Sequence, residues 1–439
     1  MNQCDVHFRR QGARIKLFNH LHGSAGIARQ SQKVNVALAA LSAINCTTSV
    51  FAQSSVTIYG IADVAYVSKT HTNLNGTTAS KTSGIGEGFN AGNRIGFRGM
   101  EALGGGMSAN FVIEQGINIT NGQLFSTRAA ASGQQVDGYG SASGNMPTGA
   151  YSTSTNRQAF VGLNDTNLGE VRAGYQYTAL YTVSTNSGYH LGSEQPGGDL
   201  AHGTLSNASF GGTRANGITY ISPTFSGVTA TLQMGTGSGR EEVEATAPAN
   251  GRTTDKNKRN SILLNYVNGP LNVSFAHTSM KIEQTAATVG TFPTTIFGSS
   301  SATAYTAATA AAVNQSNTLD QLAGSYQLGA AKLTASYAKG RIDDSATVAN
   351  NATTLTQQVG AEYAFGKVRP YFITGTAVVK NSTDTKTFDA KSTQFGVRYD
   401  LSKRTVAYVM SGKVKDEAQA TAANIQERKA TAIGLFHSF

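Results

Sequence analysis

QVGAEYAFGK, residues 358–367, decides the fold. Val359, Ala361, Tyr363 and Phe365 alternate with Gln358, Gly360 and Glu362, and Gly366-Lys367 follow at once. A period of two marks a strand with one apolar and one polar face, and a Gly-containing pair after it marks a tight turn. The signature repeats in both directions. Val56, Ile58, Gly60, Ala62, Val64 and Tyr66 share one face, with Thr57, Tyr59 and Asp63 on the other. Met107, Ala109, Phe111 and Ile113 alternate with Ser108, Asn110 and Glu114, and Val228, Ala230, Leu232 and Met234 alternate with Thr229, Thr231 and Gln233. The same holds around Leu271–Phe275, Leu333–Tyr337 and Phe395–Tyr399.

The connections alternate too. Short turns fall near residues 104–106, 165–169, 223–227, 268–270, 329–331, 366–367 and 400–403. Between them run long polar stretches, about 68–92, 118–156, 178–213, 235–260, 281–317, 341–355, 376–391 and 411–429. Seven short turns and eight long loops imply sixteen strands, an all-β, antiparallel transmembrane barrel with its loops on one side. An even count lets the first and last strands pair, and in lipid an open sheet edge would leave N–H and C=O groups unsatisfied. Charged residues are only 14% of the chain, against about 25% in soluble domains. A Gly-, Ser- and Thr-rich secreted sandwich would share that composition but would not need long loops on every second connection.

The amino terminus reads as an export signal. Arg9, Arg10, Arg14, Lys16, Arg29 and Lys33 face one acid, Asp5, before the apolar run Val34–Ile44 and the small-residue site ending at Ala52. That order is the layout of a cleaved signal. Residues 1–52 are therefore expected to be removed and 53–439 to form the barrel. Half of the net charge of +10 leaves with the signal, so the basic balance gives little support to nucleic-acid binding. Cys4 and Cys46 leave as well, which removes disulfide and thiol chemistry.

No catalytic or metal-binding constellation stands out. The five histidines beyond residue 52 are scattered, no HExxH or GxSxG occurs, and Gly235–Gly239 lacks the Lys-Ser/Thr of a phosphate loop. No cofactor and no enzymatic activity are expected. The informative charges are arginines. Arg94 and Arg98 share a face with Gly96, opposite Ile95 and Phe97. An arginine on the lipid face near mid-membrane costs roughly 2–4 kcal/mol, so both are expected to face water. Arg157 and Arg172 are candidates by the same reasoning, and Arg214 enters the sixth strand. Glu194 and Asp199 are the only carboxylates of the third long loop. Facing the arginines, they would set a transverse field across a narrow opening. The chain ends Ile433, Gly434, Leu435, Phe436, His437, Ser438, Phe439, with the alternate residues on one face and an aromatic last.

Several stretches resemble the general trimeric porins of Gram-negative outer membranes, in their beta-proteobacterial branch. They are SSVTIYGIAD (54–63), NRIGFRGMEALGGGM (93–107), NRQAFVGL (156–163), LGEVRAGYQY (168–177), YISPTFSG (220–227), YDLSKRT (399–405) and GLFHSF (434–439). They span the mature chain in the family's order. The resemblance implies a homotrimer in outer-membrane lipid, each sixteen-stranded barrel holding a water-filled pore for small hydrophilic solutes and ions. It implies that the third loop, about 178–213, folds inward. It places Arg94 and Arg214 at basic constriction positions, makes Phe439 a C-terminal sorting signal, and puts Tyr175 where relatives carry a third arginine. That replacement implies only weak anion selectivity. Two other uses of such a barrel are an adhesin, reading partners with its loops, and a hydrolase with a nucleophile at the rim.

Overall fold

The computed structural model describes residues 55–120, 123–124, 156–186, 214–236, 256–284, 313–345, 348, 351–418 and 425–439. The signal region expected at 1–52 lies outside them, as do residues 187–213 of the third loop with Glu194 and Asp199.

Antiparallel strands follow one another around a closed sheet. The first four are β1 (Ser55–Asn73), β2 (Thr78–Glu87), β3 (Arg94–Gly104) and β4 (Met107–Asn118), followed by the two-residue β5 (Gln123–Leu124). Then come β6 (Asn156–Asp165), β7 (Gly169–Tyr177), a helix α1 (Ala179–Asn186), β8 (Arg214–Ile221), β9 (Val228–Thr236), β10 (Lys256–Asn268) and β11 (Leu271–Gln284). The wall is completed by β12 (Val313–Leu328), β13 (Ala331–Asp344), β14 (Ala352–Tyr363), β15 (Val368–Asn381), β16 (Lys386–Asp400), β17 (Thr405–Asp416) and β18 (Ile425–Ser438). β2 and β3 both pair with β1, one beyond the other, and so form one interrupted wall strand. With β5 set aside, the wall has the sixteen strands that the turn pattern predicts. β1 also pairs with β18, from Ile61↔Ser438 to Asn73↔Ile425, which closes the barrel.

Side-chain exposure identifies the two faces. On β1, Val56, Ile58 and Tyr66 are exposed, whereas Asp63, Ala65, Val67, Lys69 and His71 are buried. On β13, Leu333 and Tyr337 are exposed, whereas Ala338 and Ile342 are buried. An apolar exposed face and a mixed inner face invert the plan of a soluble sheet, because lipid covers the outside. The rim with the short turns carries exposed Tyr220, Phe225, Tyr326, Tyr363, Phe365 and Tyr399. Such aromatic girdles sit where amphipathic rings meet the membrane interface.

Several stretches expected as long loops are in part strand. β1 runs to Asn73 and β2 begins at Thr78, so most of 68–92 is a hairpin. The same holds for 376–391, where β15 ends at Asn381 and β16 starts at Lys386. In the first hairpin, residues 68–73 are polar on both faces, so no apolar alternation betrays them. In the second, Ala377 and Val379 of β15 pair with Ala390 and Phe388 of β16 and form an inner apolar face.

Phe439 stands at the seam. Its N–H donates to the Gly60 carbonyl and its own carbonyl accepts from the Gly60 N–H, both at 3.1 Å. Its ring lies where a Cβ on Gly60 would be. Gly60→Val is therefore expected to lower the yield of closed barrel, read as loss of the heat-modifiable folded band on cold gels. Equal folded and unfolded mobility patterns in variant and wild type would contradict this packing.

Candidate pore constriction

The inner wall brings three arginines together. Arg94 opens β3, Arg157 is the second residue of β6, and Arg214 opens β8. Arg157 reaches the lumen through a bulge. Ala159, Val161 and Leu163 share a face, and Val161 and Leu163 are exposed to the outside. Strict alternation would send Arg157 out with them. The register shifts at this point: Glu114 pairs with Gln158 and Gln115 with Asn156, which leaves Arg157 as the extra residue. A bulge re-aims a side chain, and here it turns a guanidinium inward.

Glu114 is the carboxylate that holds the group. It is buried, and its Oε1 accepts from Arg157 Nε at 2.6 Å and from the Tyr177 hydroxyl at 2.5 Å. Its Oε2 accepts from the Tyr59 hydroxyl at 3.1 Å. Arg157 Nη2 also donates to Tyr177 at 2.7 Å. Arg94 lies close enough to act on the Glu114 charge, and Arg157 close enough to act on Arg214. Tyr177 and Tyr181 stack at 4.0 Å, and Arg214 lies 5.3 Å and 5.8 Å from their ring centres. Ring faces attract guanidinium groups, so the tyrosine pair steadies a cation beside another of like sign. Among the described residues of this cluster, three positive charges face one negative. Glu114→Ala would leave Arg157, whose side chain is only 11% exposed, without its partner. We expect a loss of about 3 kcal/mol of barrel stability, measured by urea unfolding in detergent; an unchanged midpoint would show that the pair carries no weight.

The other sequence candidates lie apart. Arg98 faces the lumen with its guanidinium 5.4 Å from the Tyr59 ring, four residues nearer the short-turn rim than Arg94. Arg172 makes two hydrogen bonds to Glu170, at 2.6 and 2.7 Å, and lies 4.8 Å from the Phe160 ring. It is five residues from Tyr177, about 17 Å along the strand, so it does not join the Arg157 cluster. Tyr175 pairs with Ala159 and Asn216 and alternates with buried Gln176, which places it on the face of exposed Val171. At the short-turn mouth, Arg369 and Arg398 bind Glu362 and Asp400, a balanced network that adds no net charge.

The helix α1 begins the third loop. Its Ala179 and Val183 form a buried cluster with Leu263, Ala276 and Ala323. Their strand neighbours Leu264, Phe275 and Leu322 are exposed on the outside, so α1 packs on the inner face of β10–β12. Sequence reasoning missed Tyr59, Tyr177 and Tyr181. Tyr59 was legible as an inner-face residue, but nothing local marks the last residue of β7 or the start of α1 as ring shelves.

A closed sixteen-stranded barrel with an apolar exterior, an aromatic rim and a charged inner wall is an outer-membrane β-barrel channel. The chain belongs to the Gram-negative porin family, whose pattern matches residues 37–419. It is 37% identical over 98 residues to outer membrane porin protein 32 of Delftia acidovorans, a match spanning 22% of this chain and 24% of that protein. Among solved structures, an anion-selective porin from Comamonas acidovorans superposes with a TM-score of 0.60 at 22% identity, covering 88% of this chain and 100% of that one. The trimer form of OmpT, an outer membrane protein of Vibrio cholerae, superposes with a TM-score of 0.53 at 15% identity, covering 88% and 99%. At these identities the two structures speak for the fold.

Proposed function

We propose that this outer-membrane porin conducts small hydrophilic solutes and ions passively, works as a homotrimer, and weakly prefers anions. The observation that carries this reading is the inner-wall cluster of Arg94, Arg157 and Arg214 around the carboxylate of Glu114. Fixed charge on a narrow wall concentrates counter-ions and sets selectivity. Arg98 extends the basic strip toward the short-turn rim, while Arg172 is neutralised by Glu170. The anion-selective relative in Comamonas and the trimeric form of the Vibrio protein support the two finer points.

The third loop narrows the pore in this reading. Support comes from α1, which packs inward, and from Leu180, which joins Leu319, Ala377, Phe388 and Ala390 in a buried cluster on the inner wall. Apolar side chains facing a water-filled lumen would gain from such a cover. Glu194 and Asp199 would then oppose the arginines across the opening. No bond-making step is assigned to any residue. Swelling of liposomes loaded with impermeant polymer tests the reading. Swelling in small sugars and not in large ones supports a sieving pore; swelling in neither defeats it and returns the adhesin or rim-hydrolase reading.

A further inference from the structure

We propose that Asp63 is a positioning residue for the pore: it anchors an inward strap, residues 88–93, that fixes where the Arg94 and Arg157 guanidiniums stand. This rests on the porin reading and adds a second inward element to it.

The strap arises from a mismatch in the wall. Along β1, pairing with β2 stops at Val64↔Glu87 and pairing with β3 resumes at Ile61↔Arg94. Two residues of β1 therefore oppose six on the other side, and the surplus leaves the plane of the wall. Its direction is inward. Phe89 is 1% exposed and packs with Ala65, Val67, Tyr408 and Met410, all on the inner face.

The Asp63 carboxylate has no exposure and spends its oxygens on the strap. Oδ2 accepts the Asn90 and Ala91 N–H groups at 2.5 and 2.7 Å. Oδ1 accepts the Tyr408 hydroxyl at 2.5 Å, from a strand on the far side of β18. The Asp63 N–H donates to Asn93 Oδ1 at 2.6 Å. A buried carboxylate is costly unless donors surround it, and successive backbone N–H groups make a suitable cradle. A plain hairpin would need no such anchor. The free side of the strap touches the constriction. The Gly92 carbonyl accepts from Arg94 Nε at 3.0 Å, and a Cβ on Gly92 would stand 3.3 Å from Arg157 Nη1. Asp63 thus acts on two pore arginines through the strap backbone, without touching the ion path.

The test is Asp63→Asn in the full-length protein, recorded as single channels in a salt gradient. Loss of the negative charge alone would raise anion preference and leave the current quiet. Release of the strap should do the opposite: the anion-to-cation permeability ratio falls by about twofold as the arginines drift from the ion path, and the open level flickers between substates. A raised ratio with a quiet trace, or unchanged conduction with only a lower melting temperature, overturns the proposal. Should Asp63→Asn fail to fold, Tyr408→Phe removes one anchoring bond and keeps the ring; it should flicker, and a wild-type trace overturns the proposal. A wild-type protein that conducts nothing would defeat the porin reading instead, which separates the two failures.

Discussion

Replacing Arg94 by Glu is expected to carry the reversal potential from the anion side to zero or beyond. Within the described cluster, Arg94, Arg157 and Arg214 stand against Glu114, a local surplus of two positive charges that the substitution cancels. A unit charge about 8 Å from an ion in water is worth about 0.5 kcal/mol, and a change of two units acts in opposite senses on anion and cation. The difference between them shifts by about 2 kcal/mol, so the anion-to-cation permeability ratio should fall roughly thirtyfold. Arg94 suits the experiment because its Nε bond goes to the Gly92 carbonyl and not to a buried carboxylate. Arg157→Glu would set two carboxylates side by side at Glu114 and confuse folding with selectivity. The effect should shrink as ionic strength rises, since screening shortens the reach of fixed charge. A reversal potential unmoved by Arg94→Glu would remove Arg94 from the ion path.

The second large effect concerns the outer face. Phe395 is 60% exposed on β16 and five residues from Asp400 at the short-turn end. Five residues of tilted strand climb about 12 Å, near the middle of an apolar band about 25 Å tall. Phe395→Arg is expected to cost the barrel about 2–4 kcal/mol, the range for arginine at the lipid-facing midplane. Thr57→Arg is the control, because Thr57 lies on the inner face of β1, where water can take the charge. Urea unfolding in lipid vesicles, followed by circular dichroism, should separate the two variants. Equal loss in both would contradict the assignment of inside and outside.

Much of this was legible in the sequence, and the reasons for the rest are physical. The strand count and the inner placement of Arg94 and Arg98 follow from a period of two, because lipid demands an apolar outer face. Residues 68–73 hid their strand because Lys69 and His71 face inward while Ser68 and Thr70 face outward, leaving both faces polar. The inward turn of Arg157 was not legible as geometry, since one extra residue reverses alternation and nothing in NRQAF announces it. Asp63 read as one more inner-face polar group; its role depends on Asn90, Ala91 and Tyr408, the last of them 345 residues away. Glu194 and Asp199 lie outside the described residues, so the negative side of the proposed field rests on the sequence pattern and on the inward packing of α1.

The most direct measurement is single-channel recording of the purified protein in a planar bilayer with a salt gradient. A trimeric pore with an arginine-lined constriction should give steady conductance that closes in three equal steps, with a reversal potential on the anion side. A folded, membrane-inserted protein that passes no current would contradict the channel, and a current reversing firmly on the cation side would contradict the arginine wall as its constriction.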